Sequence, residues 1–566
     1  MVSDASVRLG NLRVLTTHVA MRDGVRLATD VYVGPTDIPR PCLVIRTPYG
    51  RRFQVAETYA HPGWYVSRGF VVVCQDTRGR GDSEGEFRPF ETEAEDGFDT
   101  LAWVASQPFC DGSIGTYGFS YPGAVQLDAA SLAPPQLRAM APAMTAADIG
   151  TGWMYRNGAL NLSWVLSWSA ELGRATALRV HDLDAAGTFG DLLSQPSQLV
   201  GALPVGSCFS PGLSEHVEYL ADWLGHAPGD DYWRRLSPAA ELKTSVPSLF
   251  IAGWYDVFLE STLRAFERLD SQGCPARLMV GPWWHTPWGR FVGDEDFSEE
   301  AGNVIDEAQV RFFAHFLAGE ANGVEGEPPV RLFVMGENDW RSFEHWPPST
   351  SRVETLYFHS DGRSNSLNGT GRLDTCPPTA DEEMDLLASD PVFPVSPAGG
   401  RSCCYPEISP MGPADQRGHE IRNDVLVYDS QPLEADLLVI GSPTASLWVA
   451  ADRESADLVA RLVDVSQDGR AVNVSDANAR LAFEVGGPPK EVRLSFSPTA
   501  VLFRRGHRIR VDVMETSFPL FDRNPHCKVS PLQATLADFD SVTMAFARSP
   551  TSCSSLGLPV VDRETV

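Results

Sequence analysis

The sequence predicts an α/β core of parallel strands, interrupted by a helical insertion and followed by an all-β unit. Three observations carry this expectation. Short runs rich in Val and Ile alternate with helix-periodic segments over residues 1–145 and again over 241–350. Between them, residues 146–240 read as helical and are rich in tryptophan. From 351 to 566, apolar and polar residues alternate with period two. A chain of 566 residues is also too long for one hydrophobic core.

The elements follow in order. "PCLVIRTPY" (41–49) and "GFVVVCQDTRG" (69–79) are apolar runs closed by polar and glycine punctuation. Strands buried on both faces read this way. "AEDGFDTLAWVASQ" (94–107) spaces its apolar residues as a helix does, and "GSIGTYGFS" (112–120) and "LRAMAPA" (137–143) are further strands. Such alternation implies a parallel sheet with helices on both faces. In the insertion, "LNLSWVLSWSAELGRA" repeats apolar residues every three or four positions. The strand pattern then returns in "VPSLFIAGWYD" (246–256) and "PARLMVGPWWH" (275–285). Insertions over the C-terminal edge of such a sheet commonly become active-site lids. In the last unit, "ASLWVAAD", "DLVARLVDVSQDGRAVNV" and "HRIRVDVMETSF" alternate with period two, separated by turns such as Asp468-Gly469 and Gly486-Gly487. That pattern predicts an antiparallel sandwich or jelly roll. Residues 360–415, rich in Pro, Ser and Gly, read as connecting loops.

Composition excludes some functions. Lys and Arg number 46 against 74 Asp and Glu, a net charge of −28. A nucleic-acid partner needs clustered positive charge, so none is expected. No uncharged stretch is long enough for a membrane span, and "MVSDASVRLGNLRVLTTHVAMRDGVRL" lacks the features of a secretion signal. The expected location is the cytoplasm. The ten cysteines are scattered without a C-x-x-C pair, which argues against a zinc ribbon or redox motif. Adjacent cysteines are poor disulfide partners, so Cys403 and Cys404 read as free thiols.

The chemistry centres on "GTYGFSYPG" (115–123). Ser120 follows a strand and precedes a helix, where its hydroxyl would be exposed at the sheet edge. An ordinary turn would serve equally well, and the familiar G-x-S-x-G pattern meets Pro122 instead of glycine. A serine nucleophile needs a histidine base and an acid that orients it. His285 and Asp256 end two strands that place them at the same sheet edge, in the chain order Ser…Asp…His. Asp256 could instead cap the helix "VFLESTLRAFERL", and His285 could stack among Trp283, Trp284 and Trp288.

Segments along almost the whole chain resemble one family. They include "MRDGVRLATDVY", "IRTPYG", "QDTRGRGDSEGEF", "EDGFDTLAWVASQPFCDGSIGTYGFSYPG", "AGWYDVF", "VGPWWH", "VRLFVMGENDWR" and "GHRIRVDVMETSFPLFDRN". The chain is similar to the cocaine-esterase-like branch of the X-Pro dipeptidyl-peptidase family of serine hydrolases. Its serine motif is G-x-S-Y-x-G, which Gly118 to Gly123 satisfies. The resemblance implies an α/β-hydrolase core, an inserted helical cap and a C-terminal jelly roll. It implies Ser120 as nucleophile, His285 as base, Asp256 as acid, and an oxyanion hole made by the Tyr121 N–H and the Tyr49 phenol. It also places Trp153, Trp168 and Phe258 as apolar pocket walls and brings the Cys403-Cys404 loop to the pocket. Trp164 reads as core packing.

The resemblance implies a small ester or amide substrate, no metal or organic cofactor, and dimerisation. Relatives that bind amino-acyl groups use acidic residues near the cap. Here "IGTGWMYRNGALNLSWVLSWSA" (149–170) holds no Asp or Glu and carries Arg156. An apolar or aromatic, non-α-amino acyl group is therefore expected, with Arg156 exposed or paired within the protein. Two other classes share these residues: an acyltransferase or amidase on the same triad, and a non-catalytic binding protein on the same scaffold.

Overall fold

The computed structural model describes residues 5–36, 38–53, 58–286, 288–348 and 352–562. Its first unit is built on an 11-stranded mixed sheet. The strands are β1 (Ala5–Leu9), β2 (Leu12–Ala20), β3 (Arg26–Val33), β4 (Arg40–Thr47), β5 (Val71–Asp76), β6 (Cys110–Phe119) and β7 (Leu137–Ala143). A short hairpin, β8 (Tyr155–Arg156) and β9 (Ala159–Leu160), belongs to the insertion. Then come β10 (Ser248–Gly253), β11 (Ala276–Gly281), a second small hairpin of β12 (Phe291–Val292) and β13 (Glu295–Asp296), β14 (Val330–Val334) and β15 (Asp339–Phe343). The order across the large sheet is β1-β2-β3-β5-β4-β6-β7-β10-β11-β14-β15. From β5 to β14 all neighbours are parallel.

Period two explains why the central runs read as continuously apolar. Cys42, Val44, Val71 and Val73 pack on one face with Leu101 and Leu127 from helices Glu93–Ala105 and Tyr121–Ser131. Leu43, Ile45, Val72 and Cys74 pack on the other with Phe312 and Phe313 from helix Ile305–Ala318. Both faces are covered, so neither needs polar residues. The antiparallel extension β1–β3 falls outside that pattern: β2 is mostly half-buried and lacks a continuous apolar run.

The insertion opens with a π-helical turn at Gly150–Met154 and the β8–β9 hairpin rather than with an α-helix. Helix Leu162–Arg179 follows, and residues from Leu162 through Ala170 are all buried. The N-terminal half of this helix is therefore buried on every side, and its charged residues, Glu171, Arg174 and Arg179, fall in the C-terminal half. The C-terminal unit is all-β, a 13-stranded arrangement in which neighbours are antiparallel except for Arg372–Asp374 beside Leu426–Ser430. Its longest hairpin pairs Ser455–Val465 with Ala471–Ala482 around Asp468-Gly469. Residues 360–415 are not loop alone: Arg372–Asp374 is a short strand between Arg352–His359 and Leu426–Ser430, and Asp385–Ser389 pairs with Val542–Ala547, far along the chain.

The units are joined by backbone and by buried charge. Met335 N–H donates to Ala500 O (2.9 Å), and Leu502 N–H donates to Met335 O (2.8 Å). Arg156 from the insertion is buried, pairs with Asp476 Oδ2 at 2.8 Å and donates to Asn478 Oδ1 at 2.9 Å. Arg401 pairs with the other Asp476 oxygen at 2.8 Å and with Glu260, on helix Leu259–Ser271, at 3.2 Å. Burial alone would raise the Asp476 carboxyl pKa; Arg156 and Arg401 outweigh it and hold it well below the usual range. Asp476→Asn should therefore cost about 3–5 kcal/mol, because two buried guanidinium groups lose their shared counter-charge. A carboxyl depressed in the folded state stabilises fully above its unfolded pKa, about 4, and loses that contribution as pH falls further. Urea midpoints of wild type and variant should differ at neutral pH and converge in acid; equal midpoints at neutral pH would refute the junction's role.

Candidate active site

Ser120 directly follows β6 and precedes helix Tyr121–Ser131, with φ +65° and ψ −125°. A non-glycine residue holds such a conformation only where its surroundings impose it. They do so here through a full set of hydrogen bonds. The Ser120 carbonyl accepts from Gly123 N–H (2.8 Å), Ala124 N–H (3.1 Å) and Thr145 Oγ1 (2.8 Å). Its N–H donates to Ala143 O at 2.9 Å. Close approach then dictates the glycines. A Cβ at Gly118 would stand 2.5 Å from Pro122 Cβ, and one at Gly123 would stand 2.7 Å from Thr145 Cβ and 2.9 Å from Ala143 O. Position 122 lies in the first helical turn, where proline costs no hydrogen bond.

Asp256 lies past the end of β10 and His285 past the end of β11, on the sheet edge where β6 delivers Ser120. His285 Nδ1 is 2.8 Å from Asp256 Oδ1, and Nε2 is 3.0 Å from Ser120 Oγ. All three residues are buried. The carboxylate holds a proton on Nδ1, so Nε2 turns its lone pair to the Ser120 hydroxyl. Asp256 Oδ1 also accepts from Phe258 N–H (3.1 Å), so its local turn contact and its contact with His285 coexist. The His285 ring packs on Phe119 (4.5 Å between centroids) and Phe258 (5.2 Å). Trp283 and Trp288 are tied elsewhere, donating to Ala301 O and Thr58 O.

Two donors lie beside Ser120. In the elbow, Ser120 N–H is used by Ala143, Gly123 and Ala124 N–H are used by Ser120, and Pro122 has none. That leaves the Tyr121 N–H, which a first helical turn provides with no acceptor of its own. The Tyr121 side chain points away, its phenol donating to Glu93 Oε1 at 2.7 Å. Tyr49, just past β4, accepts from Trp168 Nε1 at 3.0 Å and keeps its own proton to donate. Burial pushes its phenol up to about 12, while contacts with Trp168 and Ser120 pull the other way. Arg80, absent from the sequence-based candidates although it lies in "QDTRGRGDSEGEF", positions this group. It donates to Pro48 O (2.8 Å), Leu172 O (3.2 Å) and Thr176 Oγ1 (2.9 Å), tying the Tyr49 turn to helix Leu162–Arg179. Burial lowers its pKa to about 10.

Trp153, Trp168 and Phe258 are buried together beside His285, with Trp153 stacked on Phe258 at 4.5 Å and 5.5 Å from Trp168. Trp164 belongs to the same group. Its ring lies 5.6 Å from Phe258 and 6.2 Å from His285, so it is part of the site's wall as well as of the core. Glu171 lies one residue beyond the acid-free stretch 149–170. Tyr405, from the C-terminal unit, donates its phenol to that carboxylate, which also adds to the rise in the Tyr49 pKa. Arg156 is paired within the protein, at the junction described above.

Cys403 and Cys404 are not free thiols. They form a disulfide across a Cα–Cα distance of 3.7 Å. Adjacent cysteines can bond only where the backbone between them bends sharply, and Cys404 supplies that bend at φ +73°. A backbone bridge between Ser402 and Asp256 brings the pair to the triad line. Both sulfurs and a His285 ring nitrogen lie within 4.8 Å of one another, with Cys403 buried and Cys404 exposed. Among the described residues, no helix is long and apolar enough to cross a membrane.

Comparison with known proteins gives a consistent picture. Residues 23–287 match the X-Pro dipeptidyl-peptidase (S15 family) model, and residues 322–548 match the X-Pro dipeptidyl-peptidase C-terminal non-catalytic domain. Cocaine esterase of Rhodococcus sp. (strain MB1 Bresler) is 35% identical, with 98% of this chain and 100% of that one covered. Among solved structures, an aminopeptidase from a marine sediment archaeon, Thaumarchaeota archaeon, superposes with a TM-score of 0.81 at 22% identity, covering 99% of each chain. An α-amino acid ester hydrolase superposes with a TM-score of 0.76 at 23% identity, covering 97% of each chain. These two share the fold with this chain.

The elbow yields a direct test. Gly123→Ala should destabilise the fold by about 1–3 kcal/mol, since the new methyl group meets backbone and a buried side chain. It should lower ester turnover by roughly 10²-fold, because even a 1 Å displacement of Ser120 spoils its alignment with His285. Thermal unfolding and steady-state kinetics measure the two effects separately, and wild-type values in both would refute the packing argument.

Proposed function

The chain belongs to the X-Pro dipeptidyl-peptidase (S15) family, and from that premise we propose that it hydrolyses carboxylic esters through an acyl-enzyme on Ser120. The observation that carries this reading is the hydrogen-bonded line Ser120–His285–Asp256 at the strand ends. His285 Nε2 takes the hydroxyl proton as Ser120 Oγ attacks the ester carbonyl. Asp256 stabilises the imidazolium that forms. The oxyanion is received by the Tyr121 N–H and the Tyr49 phenol, donors fixed before the charge develops. Imidazolium then protonates the leaving alcohol, and water, activated by the same histidine, releases the acid. The phenol pKa of about 12 keeps Tyr49 protonated throughout, as a donor must be.

The acyl side is read from Trp153, Trp164, Trp168 and Phe258, whose rings bring no charge of their own. They suit an apolar or aromatic acyl group without an α-ammonium. Glu171, the first acid beyond the acid-free stretch, is engaged by Tyr405. In this reading the helical insertion caps the pocket and the C-terminal unit is a jelly roll whose Cys403–Cys404 loop forms part of the rim. The names borne by the Rhodococcus relative and by the ester hydrolase of similar fold support ester chemistry.

Ser120→Ala should abolish p-nitrophenyl ester turnover and labelling by a fluorophosphonate probe; turnover at the wild-type rate would sink the assignment. Tyr49→Phe should lower kcat by an amount equivalent to about 2.7–4 kcal/mol while leaving the unfolding transition near that of wild type. An unchanged kcat would remove Tyr49 from the oxyanion hole.

A further inference from the structure

The Cys403–Cys404 pair has no part in the chemistry above, yet it stands against the residue that chemistry depends on. Both sulfurs and a His285 ring nitrogen fall within 4.8 Å of one another. Among the described residues this is the one grouping of three or more metal-ligand side chains so placed. We propose that the reduced pair, together with His285, forms a soft-metal site that binds one thiophilic divalent cation such as Zn²⁺ or Cd²⁺ and thereby switches the enzyme off.

The ligand chemistry supports this. Two thiolates and one imidazole are a donor set preferred by Zn²⁺ and Cd²⁺ and unsuited to Mg²⁺ or Ca²⁺. In a tetrahedral zinc site, with Zn–S near 2.3 Å, neighbouring ligand atoms stand roughly 3.5–3.8 Å apart. The ring nitrogen, within 4.8 Å of both sulfurs, needs to close on them by only about 1 Å, while the two sulfurs, released from each other by reduction, spread to that spacing. The imidazole is already in the right tautomer. Asp256 occupies Nδ1, as a carboxylate commonly does behind a metal-bound histidine, which leaves Nε2, 3.0 Å from Ser120 Oγ, as the nitrogen for the metal to take. Exposed Cys404 gives the ion a path from solvent, and buried Cys403 gives it a site shielded on the far side. The backbone bridge between Ser402 and Asp256 holds the sulfurs in register with the ring.

The disulfide form cannot bind, because its sulfurs are spent on each other. A phosphine opens it in a balanced step: phosphorus attacks one sulfur, the other leaves as a thiolate, and water releases the first as a thiol while the phosphine departs as its oxide. The cation then displaces the two thiol protons and forms two M–S bonds and one M–N bond. The lone pair that would accept the Ser120 proton is taken, so acylation stops. The inhibitory consequence rests on His285 being the base; the binding site does not.

The test is a Cd²⁺ titration of the full chain after phosphine reduction, following the thiolate-to-cadmium charge-transfer absorption, with Zn²⁺ inhibition of ester turnover measured in parallel. The expected result is one cadmium per chain in excess of the paired Cys403→Ser/Cys404→Ser variant. Binding should also weaken by at least roughly 10–100-fold in His285→Gln, since loss of even a supporting partner costs that much. Zn²⁺ should inhibit the reduced wild type at correspondingly lower concentration than the oxidised wild type, each rate being normalised to its own metal-free value. The oxidised wild type keeps the same sequence and fold, so the comparison survives any misfolding of a variant. Equal absorption from the wild type and the double variant would overturn the proposal, as would cadmium affinity indifferent to His285. Absence of ester turnover before metal is added would count against the proposed function alone, and the titration would still decide the site.

Discussion

Everything at this site hangs from one strained residue. Ser120 carries a side chain at a backbone angle that favours glycine, and three donors on its carbonyl hold it there. The arrangement is economical in donors. By drawing Gly123 and Ala124 N–H onto Ser120, and with no donor at Pro122, the turn leaves the Tyr121 amide without an acceptor of its own. The strain is sustained by packing, since helix and strand approach too closely at Gly118 and Gly123 for any larger residue. The serine motif is thus a statement about clearances.

The second constraint is that no single unit of the chain completes the site. The sheet provides Ser120, Asp256, His285 and Tyr49. The insertion provides Trp153, Trp164 and Trp168, and one of these, Trp168, also aims Tyr49 by donating to its oxygen. Arg80 fastens that insertion helix to the Tyr49 turn without a carboxylate partner, using backbone carbonyls and a threonine hydroxyl. The C-terminal unit reaches in through Ser402 and Tyr405. The charge cluster of Arg156, Arg401, Glu260 and Asp476 fixes the three relative to one another. It is costly to bury and balanced in charge, two guanidinium groups against two carboxylates, a combination that punishes any other docking.

Much of this was legible in the sequence because it follows from strand ends. Asp256 and His285 close two apolar runs, and parallel strands must present their C-terminal ends on one edge, so the triad line needs no knowledge of loops. Arg156 was legible only as exposed or paired within the protein, and the structure buries and pairs it. The remainder was hidden for physical reasons. Trp164 reads as core because the stretch Leu162–Ala170 is buried on every side, and burial alone does not say which ring faces a pocket. Glu171 lies one residue past the acid-free stretch, and its partner Tyr405 is far along the chain. The disulfide depends on a left-handed residue at Cys404, a conformation that no local pattern announces. The antiparallel strand β2 is mostly half-buried and lacks the apolar runs that mark the centre of the sheet.

The Ser402–Asp256 bridge has a consequence for how the protein matures. The oriented acid is in contact, through its own backbone, with a loop that emerges from the chain long after the nucleophile. That loop is anchored in a sheet of non-local strand pairings, which form slowly because distant segments must first meet. The nucleophile turn can therefore be in place while the pocket is still open to solvent and its acid unsupported. The acid's backbone contact is complete only in the finished molecule, where the last-made third meets the first.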